Sequence, residues 1–127
     1  MKKFLKNWLL VFIWAGLIFL LSSLPYLESG LDQDFTLRKI AHILEYAILT
    51  FLLIRAFHPT ADQHQKILVL AIIIALLYSI SDEYHQTFIL GRSGKLIDIG
   101  IDSIGILLTG FLCYIKNKGR NNQLFRN

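Results

Sequence analysis

The side chains with the most chemical capacity in this 127-residue chain recur at helical spacing. Lys39, His42 and Tyr46 stand at i, i+3 and i+7, which is one face of a helix, with Glu45 at the edge of that face. Tyr78, Asp82 and His85 repeat the pattern at i, i+4 and i+7, with Glu83 beside them; Asp98, Asp102 and Gly105 repeat it once more. Arg92 lies between the last two groups, in Gly91-Arg92-Ser93-Gly94, where two glycines suit a tight turn that aims the guanidinium back at its neighbours. Histidine titrates near neutrality, so His42 or His85 beside a carboxylate makes an acid–base pair. Arg92, Lys39 and Arg38 together suit a phosphate or another anionic group. The same histidines and carboxylates are chemically able to ligate a zinc-like ion. Neither His-x-x-x-His nor His-Glu-x-x-His occurs, however, and no metal site is assigned. Ser22, Ser23 and Ser81 lie outside any nucleophile-elbow motif.

The elements that carry these residues are apolar. Hydrophobic residues make up 54% of the chain, too many for a soluble domain of this size to bury. The solvent is therefore read as a bilayer. The pattern predicts an all-α membrane protein, a bundle of four transmembrane helices in a single domain over 1–127, with helices at about 7–24, 36–57, 64–88 and 96–115. Pro25 ends the first segment, the acidic stretch Glu28 to Asp34 follows, and Thr36 is an N-cap for the second. About 20 helical residues span the hydrocarbon core, and the unbroken apolar parts of the last three segments are shorter than that. Spanning therefore carries His42, Glu45, Asp82, Glu83, His85, Asp98 and Asp102 to membrane depth.

The net charge of +4 raises the question of nucleic acid, but the basic residues flank apolar runs and form no stripe with interleaved aromatics. The single Cys113, inside the last apolar run, supports neither a disulfide framework nor a cysteine metal site. Met1-Lys2-Lys3 and the run after it are read as a retained helix, not a cleaved signal, because no small-x-small site follows. With four alternating spans, Lys2, Lys3, Lys6, Arg55, Lys66, Lys116, Lys118, Arg120 and Arg126 share one side, nine in all, against four (Arg38, Lys39, Arg92, Lys95) on the other. The richer side, with both termini, is expected to be cytoplasmic. Of the acids only Asp62 falls on that side; Glu28, Asp32, Asp34, Glu45, Asp82, Glu83, Asp98 and Asp102 fall towards the outer face. Trp8, Trp14, Tyr26 and Tyr114 are expected at the interface or facing lipid, and Gly105 with Thr109 is a small-x-x-x-small packing pair.

Ser81-Asp82-Glu83-Tyr84-His85-Gln86-Thr87-Phe88, then Gly91-Arg92, then Asp98, Asp102 and Gly105, resembles the VanZ-like family. So do Lys39-x-x-His42-x-x-x-Tyr46 and Ser22-Ser23 with Pro25. The resemblance runs from about Ser22 to Gly110, and Asp-Glu-x-His-Gln followed by Gly-Arg is its most specific part. The chain departs from the family's habit at Arg38 (often Asp), Leu90 (often Pro) and Asp102 (often Asn). The resemblance implies a multi-pass protein of the bacterial cytoplasmic membrane and a link to glycopeptide resistance, the family being named for teicoplanin.

Residues and resemblance together select His85, Glu83, Asp82 and His42 as the catalytic set. Lys39, Glu45, Tyr46, Gln86, Arg92, Asp98 and Asp102 form the ligand-binding set. The expected partners are the lipid bilayer and an anionic lipid or lipid-linked cell-wall precursor, with no nucleic acid; no cofactor or oligomeric state is assigned. Three readings follow: an enzyme acting on an envelope lipid head group, a non-catalytic binder of one, and an assembly protein whose polar cluster only pairs helices. A transporter fits less well, since four short helices leave little room for alternating access and no broken-helix pair is present.

Overall fold

The structure, a computed structural model, describes residues 1–24, 34–60, 63–92 and 94–124. Pro25, Tyr26, Glu28, Asp32, Asp62, Ser93 and Arg126 lie outside the described residues, as do the side chains of Asp34 and Arg120. Four helices follow in order: α1 Lys2–Ser22, α2 Asp34–Ala56, α3 His64–Gln86 and α4 Leu96–Leu124. Several ends differ from expectation: α2 begins at Asp34, so Thr36 lies inside the helix and is not its N-cap, and α1 and α3 stop two residues early, at Ser22 and Gln86. The largest differences are at the two ends of the chain. Helix α1 takes in Lys2, Lys3 and Lys6, and α4 continues nine residues past the expected 115. Neither stretch contains proline, lysine is a good helix former, and one glycine (Gly119) costs only about 1 kcal/mol, so the ladder runs on beyond the apolar core of each segment.

The helices alternate in direction. Trp14 Nε1 donates to the Glu45 carbonyl and Asn7 Nδ2 to the Arg55 carbonyl, so α1 and α2 are antiparallel. Ser79 meets Asp102, while a Cβ on Gly110 would touch Ile72, so α3 and α4 are antiparallel too. Helix α2 packs on all three others, most extensively on α4. That pair meets at Gly105, where a Cβ would collide with the carbonyl oxygen of Ile43. Without a side chain at that point the two backbones approach closely, as the small-residue spacing predicted.

The exterior is unlike a soluble protein's. Leu37, Ile40, Leu44, Ile48 and Phe51 form an exposed apolar stripe along α2, and Leu107, Leu108, Phe111, Leu112 and Ile115 one along α4. Inside lie Ile18, Tyr46, Leu49, Leu53, Ala71, Ala75 and Ile106, together with the buried polar residues Asn7, Ser22, Thr50, Ser79, Asp82, Glu83, Gln86 and Asp102. An apolar exterior of this extent suits lipid, not water. Three helices are long and apolar enough to cross a membrane: α1, α3, and α4 over Leu96–Gly119. Helix α2 does not meet that composition because it carries Lys39, Glu45 and Arg55.

Trp14 turns inward to its bond with Glu45, and Trp8, Trp14 and Tyr114 all pack against the core instead of standing free on the surface.

Candidate functional site

The alternating directions bring the carboxyl ends of α1 and α3 to the amino ends of α2 and α4. All the selected polar residues lie at this end. The described lysines Lys2, Lys3, Lys6, Lys66, Lys116 and Lys118 lie at the other end, as does Asn7, whose Nδ2 donates to His58 Nε2 at 2.8 Å. The amino termini of α2 and α4 add positive potential at the polar end, and Asp98 sits in the first turn of α4.

Three layers compose the site. Outermost, the Lys39 ammonium and an Asp98 carboxylate oxygen form an ion pair between α2 and α4. One turn deeper, His42 Nδ1 lies 3.0 Å from Asp102 Oδ1, and Ser79 Oγ donates to Asp102 Oδ2 at 2.5 Å. Glu83 approaches the same place from α3. One of its oxygens accepts the Lys95 backbone N–H at 3.0 Å and the other a long 3.4 Å bond from Gln86 Nε2. Ligand-capable atoms of His42, Glu83 and Asp102 all lie within 4.8 Å of one another. Tyr46, a further turn along α2, is 0% exposed, and its hydroxyl has no hydrogen-bond partner among the described residues.

The third layer faces α1. Ser22 Oγ donates to Asp82 Oδ1 at 2.6 Å, and Ser23 Oγ lies 3.0 Å from His85 Nε2. Tyr78 OH donates to the Ala15 carbonyl at 2.6 Å. The stripe Tyr78–Asp82–His85 thus meets α1, whereas Ser79 and Glu83 meet α4 and the segment before it. His85 stacks its ring 4.5 Å from that of Phe19 and stands apart from His42 and Asp102.

Arg92 closes the top. Gly91 takes a left-handed φ of 77°, which lets the chain reverse after α3. The guanidinium then returns over the bundle. Nη2 donates to the Leu21 carbonyl at 3.0 Å, Nε to the Leu24 carbonyl at 3.1 Å, and Nη1 to Gln86 Oε1 at 3.4 Å. It adds a strong donor to the Leu21 carbonyl, whose local bond from the Leu24 N–H is a long 3.4 Å, and holds the Leu24 carbonyl just past the end of α1. Burial and the charge of Arg38 push the Arg92 guanidinium down from its ordinary value, against the pull of Asp82, Glu45 and Glu83. The ordinary value is so far above neutrality that the group stays cationic. Beneath it lies a cavity of about 190 Å³ lined by Leu21, Ser22, Arg38, Ala41, His42, Glu45, Asp82 and Arg92.

Of the selected residues, then, His42, Glu45, Asp82 and Arg92 converge on the cavity, and Glu83 and Asp102 gather with His42 in the adjoining interior, Tyr46 one turn away. Lys39 with Asp98 flanks them, Gln86 bridges Asp82, Glu83 and Arg92, and His85 lies off to the α1 side. Ser22, Ser23 and Ser79 were not selected. Ser79 stands four residues before Glu83, on its face of α3, and Ser22 and Ser23 end α1 beside the site; those positions were the available signals.

An all-helical chain, apolar outside and with a polar cluster buried at one end, with three helices able to cross a bilayer, is a membrane protein. A family model described as VanZ/LLP1 matches residues 4–117, and the chain belongs to that family. No curated protein and no solved structure matches it.

Proposed function

We propose that this VanZ-like protein binds an anionic lipid head group, or the phosphate of a lipid-linked envelope precursor, at the outer face of the bacterial cytoplasmic membrane. In this reading residues 1–127 form one domain of four spans with both termini cytoplasmic. The basic end would face the cytoplasm, as the positive-inside rule requires, and the apolar stripe along α2 would face lipid. The observation that carries the reading is the cavity itself, in which Arg38 and Arg92 stand over His42, Glu45 and Asp82. Two guanidiniums recognise phosphate oxygens through forked donors. The volume also decides what fits. At about 190 Å³ it is well under the ~300–1,000 Å³ of a pocket for a drug-sized ligand. A head group enters; a whole glycopeptide or precursor does not. His42 is the acid–base group nearest the bound anion, with Asp102 orienting its ring, and it carries any head-group chemistry.

The test is binding of phosphatidylglycerol against phosphatidylcholine to the detergent-purified chain, read by native mass spectrometry. Arg38→Gln, at an exposed position, is expected to lower phosphatidylglycerol retention while leaving the melting temperature unchanged. Equal retention of the two lipids by the parent chain would sink the proposal. His42→Gln separates holding from reacting: retained binding with a lost cellular phenotype favours chemistry. The envelope role, including teicoplanin resistance, is read from susceptibility and lipid profiles of cells carrying Arg92→Gln, Glu83→Gln or His85→Gln. If all three variants fold and match the parent, the role is wrong.

A second reading is assembly alone. It draws on the interhelical bonds Ser22–Asp82, Ser79–Asp102 and Lys39–Asp98, which satisfy much of the cluster internally. Its signature is loss of folding, without a selective lipid or susceptibility phenotype, on single substitutions.

A further inference from the structure

We propose that His42, Glu83 and Asp102 bind one divalent transition-metal ion, of the zinc or manganese kind, beside the cavity. One imidazole and two carboxylates, each from a different helix, supply a hard-to-borderline donor set of the type such ions take. Donors about 2.0–2.2 Å from zinc stand roughly 3.4 Å apart in a tetrahedron. The 3.0 Å between His42 Nδ1 and Asp102 Oδ1 is close to such an edge, and the 4.8 Å limit on the whole trio leaves on the order of 1 Å for a side-chain adjustment to close. Both carboxylates are already held from outside the trio, Asp102 by the Ser79 hydroxyl and Glu83 by the Lys95 backbone N–H. Metal-ligating carboxylates are oriented by second bonds of this sort.

Charge points the same way. Glu83 is 3% exposed and Asp102 0%, and among the described residues neither forms an ion pair with a lysine or arginine. A protonated His42 adjoins only Asp102, and Lys39, one turn outward, is already paired with Asp98; a divalent cation beside a neutral His42 would contact both carboxylates directly. A separate observation marks the place of a ligand. The Tyr46 hydroxyl is fully buried and unpartnered among the described residues, one helical turn beyond His42. Long helical side chains lean towards the helix amino terminus, which carries this phenol towards the level of His42. A water or anion oxygen on the ion gives that hydroxyl its missing acceptor. The inference deepens the head-group reading, since the open metal positions would face the cavity and meet an anion's oxygen there. It does not require that the anion be a lipid.

The experiment uses the full chain in detergent, stripped with chelator and titrated with Zn²⁺ and with Mn²⁺. Bound metal is measured by mass spectrometry after gel filtration, and pulsed EPR is recorded on the Mn²⁺ form. The expected result is a single equivalent of metal, a raised melting temperature, and nitrogen coupling to Mn²⁺ from one imidazole. His42→Gln and Glu83→Gln each weaken binding at least tenfold, while His58→Ala, at the opposite end, leaves it unchanged. Absence of stoichiometric metal on the parent chain overturns the proposal, as does retention by both variants. Where a variant does not fold, the parent's EPR decides: bound Mn²⁺ without nitrogen coupling overturns it. Phosphatidylglycerol retention measured on the same preparations separates the two ideas. Lipid bound without metal sinks the ion alone, and metal bound without lipid preference sinks the head-group reading alone.

Discussion

Replacing Gly105 with alanine should injure the bundle, although alanine is the better helix former. A Cβ at this position overlaps the Ile43 carbonyl oxygen and stands 3.2 Å from the Ala47 nitrogen, both of them backbone atoms of α2 that no rotamer change moves aside. Helices α2 and α4 must part by on the order of 1 Å to reach ordinary contact. Overpacking of this kind costs about 1–3 kcal/mol, offset by about 0.5–1 kcal/mol for removing a helical glycine. The net expectation is a loss of about 1–2 kcal/mol. Gly100, on the same helix, has nothing within 4 Å of the corresponding point, so Gly100→Ala gains the propensity term without the collision. Comparing the two variants cancels propensity and isolates the contact. The same parting lengthens the 3.0 Å His42–Asp102 distance towards 4 Å, beyond hydrogen-bond reach. Thermal unfolding in detergent, followed by circular dichroism, gives the stabilities, and the histidine nitrogen resonances report the lost bond. If Gly105→Ala is as stable as Gly100→Ala, the close α2–α4 approach is refuted.

Ser22→Ala removes the hydroxyl donor from the buried Asp82, with an expected loss of about 1–2 kcal/mol, whereas Ser23→Ala at its half-buried site costs no more than about 0.6 kcal/mol; equal melting shifts would contradict this ranking. Arg92→Lys should behave like Arg92→Ala, because a single ammonium does not reproduce three separate donors to Leu21, Leu24 and Gln86. Hydrogen exchange in the last turn of α1 checks this, and protection restored by lysine alone would count against it. In a Cys113→Ser background, Leu90→Cys, 76% exposed in the turn before Arg92, should react with an impermeant maleimide added outside intact cells. Labelling confined to the cytoplasmic side would overturn the orientation and the outer-face reading with it.

Helical periodicity located the polar faces well. Lys39 and His42 meet Asp98 and Asp102 in the order their spacing implied, and Gly105 marks the contact of the same two helices. Periodicity names a face but not the neighbour it meets. Helix α3 has two polar edges only one residue apart, Tyr78–Asp82–His85 and Ser79–Glu83–Gln86. Nothing local shows that the first meets α1 and that Ser79 and Glu83 of the second meet α4 and the segment before it. His85, whose type alone made it a prime acid–base candidate, therefore stands with Ser23 and Phe19, while His42 holds the more buried carboxylate. The His42–Glu83–Asp102 trio escaped motif reading for a related reason: with one ligand per helix, it has no characteristic spacing along the chain.

The polar bonds that fasten α1 have a consequence for how the chain is made. Helix α1 is synthesised first, yet Ser22 finds its acceptor in Asp82, sixty residues later, and the Leu21 carbonyl finds its cap in Arg92, seventy-one residues later. Among the described residues, its early anchor is antiparallel packing on α2, through Trp14 and Asn7. The last turn of α1 therefore gains these interhelical bonds only after α3 and the turn after it have emerged. A chain that stalls after α2 leaves Ser22 with only its bond to the Phe19 carbonyl of its own helix, and the Leu21 carbonyl without its guanidinium cap. Quality-control machinery that reads such groups in the bilayer would distinguish the unfinished protein from the finished one.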